Sequence, residues 1–296
     1  MKKLFFLPAV ISLITLCSAS AQEQAKEIKK VTVSDFNVQT GLFLLKSEGG
    51  TMQDFKALAP NSDLLNMNFS DYTSYSGFTI SGSTLFAASV GLNFADKQKS
   101  SYKKNPQLRI GIAFANTNVF GGGYFKEERK PYDTLVSSQS GLATYIDSLT
   151  MKSVNVNYSS EQLRMDASLI FRTNQEKRWS LYTGIGMSAG WAINAYTGVS
   201  YFVSRQTQES TNSSYSGNAG ETDLVTEHFQ NKTGGGFSSY LPLGIDFRIG
   251  KKREFWQHLH LYYEIKPSVN VTMIPELKTF INAGVQEGLG IRYTMN

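Results

Sequence analysis

From Phe36 onward the chain alternates apolar and polar positions with a period of two, the spacing that puts successive side chains on opposite faces of a β-strand. The segment Leu163–Arg172 shows it most clearly. Leu163, Met165, Ala167, Leu169 and Phe171 fall on one face, and Arg164, Asp166, Ser168 and Arg172 on the other. The same alternation predicts seven further strands, whose apolar faces run through Phe36–Leu44, Phe86–Phe94, Leu108–Phe114, Trp179–Trp191, Leu241–Ile249, Leu259–Ile265 and Ala283–Met295. Each is about as long as a tilted strand needs to cross a bilayer, for which roughly 9–11 residues suffice.

Alternation alone does not choose between a soluble β-sandwich and a transmembrane barrel, because both bury one face of every strand. Three further patterns favour the barrel. The connections alternate: those at Glu48–Ser83, Asn116–Glu161, Ile193–Phe237 and Asn270–Thr279 are mostly long, and those at Ala95–Pro106, Thr173–Arg178 and Gly250–Phe255 are short. Short turns on one side of a membrane and long loops on the other produce that rhythm. Phe94, Phe171, Trp179, Phe255, Trp256 and Tyr293 gather near the short-turn end, where an interfacial aromatic belt belongs. The polar face carries both signs of charge, with Arg164, Asp166, Arg172, Asp246, Arg248, His258, His260, Glu264, Lys266 and Arg292 interspersed with glycine. Such a face suits a lumen filled by ion pairs. The expected fold is therefore all-β, a single antiparallel transmembrane meander barrel of eight strands. Ten strands follow if part of Lys152–Tyr158 forms an extra hairpin.

Composition refines this picture. Hydrophobic residues make up 41% and charged residues 18% of 296 positions, which excludes a disordered chain. Met1–Ala21 reads as a secretory leader: a basic Met1-Lys2-Lys3, an apolar Leu4–Leu16 and the small residues Ala19-Ser20-Ala21, with cleavage before Gln22. Residues 22–35 then form a short periplasmic segment, and the barrel occupies 36–296. The one cysteine, Cys17, leaves with the leader, so no disulfide or thiol chemistry is expected. Losing Lys2 and Lys3 takes the basic count from 29 to 27 against 24 acids, a net charge of +3. That excess gives no footing for a nucleic-acid partner, and export argues against one.

The last strand, Gln286-Glu287-Gly288-Leu289-Gly290-Ile291-Arg292-Tyr293, resembles the C-terminal assembly signal of outer-membrane proteins. Gln286, Gly288, Ile291 and Tyr293 occupy its polar, glycine, apolar and aromatic positions. The resemblance implies recognition by barrel-assembly machinery as an unpaired edge strand. It departs from the pattern in the extension Thr294-Met295-Asn296. Simple alternation also turns Glu287 outward toward lipid, which a β-bulge or a covering partner would relieve. With its leader, strands and terminus, the chain resembles the small outer-membrane barrels of the OmpX and OmpA-barrel type. Its Lys-, Tyr-, Ser-, Asn- and Gly-rich loops and basic turns resemble the Bacteroidota versions. The resemblance implies outer-membrane lipid as the surroundings and a Gram-negative source.

An eight-stranded barrel has room inside only for side chains or one small ligand, so the inward charges are expected to satisfy one another. The functional alternative is an ion or proton path through Arg164, Asp166, Arg248 and Glu264. Among the three histidines, His258 and His260 share the inward face near the short-turn end, and His228 lies beside Glu227 in a long loop. None of them completes a metal-ligand or catalytic spacing, so no cofactor and no catalysis are expected. A loop-borne lipid-modifying or proteolytic site stands as an alternative, as does a narrow porin-like channel. The outer loops, rich in Tyr, Ser, Asn, Thr and Gly, suit adaptable binding. The stretch Gln206–Glu221 is expected to be mobile, whereas Thr117–Tyr132 and Lys152–Tyr158 extend strands above the membrane. The short turns carry Lys97, Lys99, Lys103, Lys104, Lys177, Arg178, Lys251, Lys252 and Arg253 against Asp96, Glu176 and Glu254. Nine bases against three acids leave a +6 rim suited to anionic headgroups or an acidic periplasmic partner. The reading is a binding or scaffolding barrel, acting through its outer loops or as an accessory subunit of a secretion or barrel-assembly complex.

Overall fold

The computed structural model describes residues 31–75, 80–94, 106–173, 177–209, 222–250 and 253–295. In chain order the elements are β1 (Val31–Lys46), β2 (Glu48–Gly49), α1 (Met52–Leu58), a 3-10 turn (Leu64–Asn66), β3 (Thr73–Tyr75), β4 (Ile80–Phe94), β5 (Gln107–Val136) and β6 (Ala143–Arg172). They continue with β7 (Trp179–Glu209), β8 (Thr222–Gln230), β9 (Gly235–Tyr240), β10 (Leu243–Arg248), α2 (Glu254–His258), β11 (Leu259–Met273) and β12 (Thr279–Thr294).

The antiparallel ladders close on themselves. β1 pairs with β4 on one side and with β12 on the other. The circuit runs β1, β4, β5, β6, β7, then β9 with β10, then β11 and β12, and returns to β1. β8, β9 and β10 share one register against β7: Gln230 faces Tyr196, Gly235 faces Trp191 and Leu243 faces Thr183. They are one strand broken at two places, the second at Pro242, which has no N–H to give the ladder. Lys152–Tyr158 belongs to the continuous β6 and makes no extra hairpin. β1 starts at Val31, so Val31–Asp35 are barrel wall and not part of a preceding segment.

Apolar and polar faces lie where alternation puts them. Met165 is 59% and Ile281 70% exposed on the outside, whereas Arg292 and Glu264 are fully buried inside. A water-soluble sandwich reverses this order, because its apolar faces meet in a core. Glu287 does face outward, but through regular ladders to Leu42 and Ile265, without a bulge. Tyr263 on the neighbouring strand donates its hydroxyl to the Glu287 carboxylate at 3.1 Å.

Two features extend beyond the wall. β5 and β6, each 30 residues long in all, continue past it as a hairpin, joined laterally by β7 and β8 on one edge and by β3 on the other. The connection after β1 folds down into the mouth. Thr51 caps α1 through a reciprocal pair: the Asp54 N–H donates to its Oγ1 at 3.3 Å, and its own N–H donates to Asp54 Oδ2 at 2.9 Å. The helix thereby points Phe55 and Leu58 inward, where they pack with Leu64, Leu65, Phe43, Leu85, Phe120, Val154, Val156 and Phe280. This is a water-excluding plug across the open end.

Candidate functional site

The lumen is filled from the short-turn end upward in layers. In the lowest, Asp246 is surrounded by two guanidiniums and an imidazole. Arg292 Nε donates to Oδ2 at 2.8 Å, Arg172 Nη1 to the same oxygen at 3.1 Å, and His260 Nδ1 lies 2.6 Å from Oδ1. Asp35 joins from β1, 3.6 Å from Arg292 Nη1, and accepts from Asn37 and Gln107. One layer higher, Glu264 lies 2.7 Å from Arg109 Nη2 and 3.0 Å from Lys266 Nζ. Tyr240 donates to Asp166 at 2.7 Å. In the layer below the plug, Arg164 has no carboxylate partner among the described residues. It donates to Ser188 at 2.9 Å, to Ser238 and to Gln162, and its guanidinium stacks over Phe43.

Charges can stay buried here because they are paired with opposite charges or, for Arg164, held by neutral hydrogen-bond acceptors and an aromatic ring; one left alone in the interior is costly. Three tyrosines shape the middle. Tyr182, Tyr240 and Tyr262 sit directly opposite Gly244, Gly186 and Gly290, and each ring occupies the space a Cβ on that glycine would need. Large rings lying on glycines of the neighbouring strand fill the lumen while keeping the wall narrow.

Among the residues expected in this network, Arg164, Asp166, Arg172, Asp246, His260, Glu264, Lys266 and Arg292 lie in the lumen. Two do not join it. His258 ends α2 at the rim, its Nδ1 3.2 Å from Thr294 Oγ1, because the chain forms a helical turn before β11 begins. Arg248 is only half-buried at the end of β10, and its Nε meets no hydrogen-bond partner among the described residues. Conversely, Arg109, Asp35 and Gln107 belong to the network. Arg109 already alternates with Leu108 and Ile110 in the sequence, so periodicity marks it as inward.

At the assembly signal, Gln286 and Gly288 face inward and Ile291 and Tyr293 outward. Tyr293 packs against Phe255, with ring centroids 6.1 Å apart. Met295 still donates its N–H to Ser34 O at 2.7 Å, so the extension beyond Tyr293 continues the closing seam. Of the basic rim, Lys97, Lys99, Lys103, Lys104, Lys251 and Lys252 lie outside the described residues. Lys177 and Arg253 are exposed, and Arg178 stacks on Phe247 with 4.6 Å to the ring centroid.

On the outer side, His228 is exposed on β8, whereas the adjacent Glu227 turns into the mouth. The Glu227 carboxylate accepts from the Ser62 hydroxyl and from Leu64 N–H at 3.3 Å. The two residues therefore form no dyad. Glu227 instead fastens the plug, aided by Asn231, which donates to Leu58 O at 2.8 Å and accepts from Thr197. Asn231 reaches the plug because the strand is interrupted after Gln230. Among the described residues no group of three or more His, Cys, Asp and Glu is placed to hold a metal ion.

A surface cluster pins the same connection from above. Lys126 Nζ lies 3.1 Å from Glu128 and 3.2 Å from Asp71, and Lys152 Nζ 3.2 Å from Glu128. The hydrogen bond with Lys126 holds the Glu128 carboxyl below its ordinary value, and the bond with Glu128 raises Lys126. A depressed carboxylate contributes stability above its unfolded value and loses it as pH falls through the folded value. A raised lysine contributes below its unfolded value and loses it at high pH. The contact therefore holds across neutral pH and opens on acidification below the ordinary carboxylate range. Amide exchange at Asp71–Tyr75 is expected to speed up there, less so in Glu128→Gln, whose side chain no longer titrates.

No family model matches the chain, and no curated protein matches it. Solved structures similar to it include Neisserial surface protein A, at 10% identity and a TM-score of 0.29 over 88% of this chain and 97% of that one. Ail, the attachment invasion locus protein of Yersinia pestis, in complex with the heparin analogue sucrose octasulfate, gives 12% identity and a TM-score of 0.24 over 88% and 100%. OmpT, an outer membrane protein of Vibrio cholerae, gives 8% and 0.14 over 92% and 100%. These scores are low, and the barrel described above rests on its own strand pairing.

Proposed function

We propose that the chain is an outer-membrane β-barrel of a Gram-negative bacterium that binds a partner through its projecting hairpin and neither catalyses nor conducts. The apolar outer face and the leader support the membrane placement. Ion pairs and the plug fill the lumen, which argues against a channel. The observation that carries the binding role is the shape of the β5–β6 tip. A register shift between Pro131 and Asp133 opens a cleft of about 390 Å³ lined by Pro131, Tyr132, Asp133, Thr134, Tyr145, Ile146 and Asp147. Around it Tyr132, Leu135, Val136, Leu142 and Tyr145 are all more than half exposed. Exposed aromatic and apolar side chains on a rigid support are typical contact residues. Cross-strand contacts hold the support: Arg129 donates to Gln208 at 3.1 Å and lies 3.8 Å from Asp147.

Partner recognition as an accessory subunit of an envelope complex is consistent with this surface, as is adhesion. A variant with Tyr132, Leu135, Leu142 and Tyr145 replaced by serine is expected to fold as the parent does, since these side chains are exposed. Co-purification from gently solubilised membranes, compared between parent and variant, tests the role. Loss of a stoichiometric partner from the variant alone supports it, and an unchanged set of co-purifying proteins contradicts it.

A further inference from the structure

The barrel wall splits between β4 and β5. β4 and β5 pair from Leu85/Ala115 down to Asn93/Gln107. Above Leu85, β4 continues with β1 alone, up to Ile80 opposite Lys46. β5 meanwhile takes β2 as its neighbour, with Glu48 opposite Phe120. The chain after β1 thus crosses inside β4 and occupies the position β4 leaves. Between them lies an open cleft of about 290 Å³ lined by Gly82, Ser83, Thr84, Asn116, Asn118 and Ser159.

Every side chain in this lining is uncharged, and all but Gly82 carry a hydroxyl or amide. Among the described residues none of them makes a side-chain hydrogen bond, although most polar side chains in the lumen below do. The level is informative too. Phe86, Phe114, Leu163 and Trp191 form one outward cross-strand row, with Phe86 55% and Trp191 62% exposed. Beyond this row, Thr84, Asn116 and Glu161 replace the apolar side chains on β4, β5 and β6, whereas Ile193 on β7 and Leu42 on β1 stay apolar and exposed. On the three strands that line the cleft, the apolar belt therefore ends below it. Unpaired backbone groups on its two edges cannot face hydrocarbon, so they face the headgroup layer.

The geometry points to a site for an uncharged, hydroxyl-rich ligand: a saccharide, either as the headgroup of an outer-leaflet lipid or free. Hydroxyl and amide groups, together with open strand edges, supply both donors and acceptors, as a sugar requires. The nearest ionisable group in the ladder is Glu161, opposite Asn116. A carboxylate there disfavours a bare phosphate or sulfate. This inference goes beyond partner binding at the hairpin tip, and uses the proposed membrane placement for its lipid source.

The test uses the full barrel in nanodiscs of phosphatidylethanolamine and phosphatidylglycerol, with amide exchange read at Gly82–Thr84 and Asn116–Asn118. Three additions are compared: lipopolysaccharide stripped of its phosphates in the disc, the deacylated oligosaccharide made from that, and inorganic phosphate. With ligand about tenfold above its dissociation constant, protection rises about tenfold if binding requires the closed cleft. A rise with lipopolysaccharide alone identifies a lipid headgroup, and a rise with both saccharide forms identifies the sugar itself. Asn116→Ala combined with Asn118→Ala, or the milder Thr84→Val, is expected to abolish it. No rise in either saccharide arm, or a rise with phosphate alone, overturns the site. Failure of the chain to enter discs as a folded barrel would contradict the membrane reading instead, so the two failures are separable.

Discussion

Asp246→Ala is expected to destabilise the barrel by about 3–5 kcal/mol, the usual cost of leaving buried charges without their partner. Asp246 is the shared acceptor of Arg172 and Arg292 and lies against His260. Without it, two guanidiniums about the same point lose their counter-charge, and Asp35, at 3.6 Å from Arg292, neutralises only one. Equilibrium urea unfolding in detergent micelles, followed by tryptophan fluorescence, measures the loss. A companion variant separates charge from packing. Replacing Asp35 by asparagine together with Arg172, Asp246 and Arg292 by methionine and leucine removes every fixed charge of the cluster, and such exchanges are often close to neutral. The quadruple variant is therefore expected to recover most of the stability that Asp246→Ala loses. A quadruple variant as unstable as the single one would show that the cluster is not held by its charge balance.

Phe55→Ala is expected to release the plug without unfolding the barrel. Phe55 is fully buried and packs edge-on against Phe120 and Tyr124, with centroids 5.8 and 6.3 Å away. Deleting such a ring costs about 3–5 kcal/mol where the site cannot collapse. The other ties of this segment are the short pairings of β2 and β3 with β5, the buried Leu58, Leu64 and Leu65, Glu227 with Ser62 and Leu64, Asn231 with Leu58 O, and the exposed Lys126 cluster. Limited proteolysis is expected to cut within 48–75 in the variant and to spare the parent. The urea midpoint of the wall is expected to stay nearly unchanged, because plug and wall open as separate units. The variant is also expected to remain non-conducting in planar bilayers, since the Arg109–Glu264 layer still fills the lumen beneath. A conducting variant would make the plug, and not the ion pairs, the seal.

Much of the architecture was legible in the sequence because a barrel wall obeys one simple rule. Alternation of Leu163 with Arg164, or Leu261 with Tyr262, fixes which side chains face lipid and which face the lumen, and it does so without knowledge of the partners. The same rule placed Glu287 outward, and the structure keeps it there. Sequence periodicity does not report what happens at strand ends. His258 continues the alternation of β11 on paper, yet α2 takes it, because a short turn at the rim satisfies its backbone groups locally. Arg248 fits the inward face but lies at the last residue of β10, where the lumen opens to solvent. Pairings between distant segments were equally invisible. Nothing in Thr51–Asn66 announces that Phe55 and Leu65 enter the mouth, since that depends on which apolar side chains of five strands converge there. Nor does the sequence show that β2 displaces β4 from β5, which is a matter of where the chain crosses. Periodicity puts Asp35 in the short periplasmic segment 22–35, because the first apolar alternation starts only at Phe36.

The central claim is a membrane-spanning wall with apolar residues outside and charged residues within. Spin labels scanned singly along Leu181–Ile193 of β7 test it most directly, in a chain freed of Cys17 by leader cleavage or by Cys17→Ser. The account predicts that labels at the outward positions Leu181, Ile185, Met187, Ala189 and Trp191 are accessible to oxygen and protected from a polar nickel reagent in lipid vesicles, with Tyr182, Ser188 and Ala192 shielded from both. Outward labels that are instead equally accessible to the polar reagent, in a protein that stays in the aqueous phase, would contradict it.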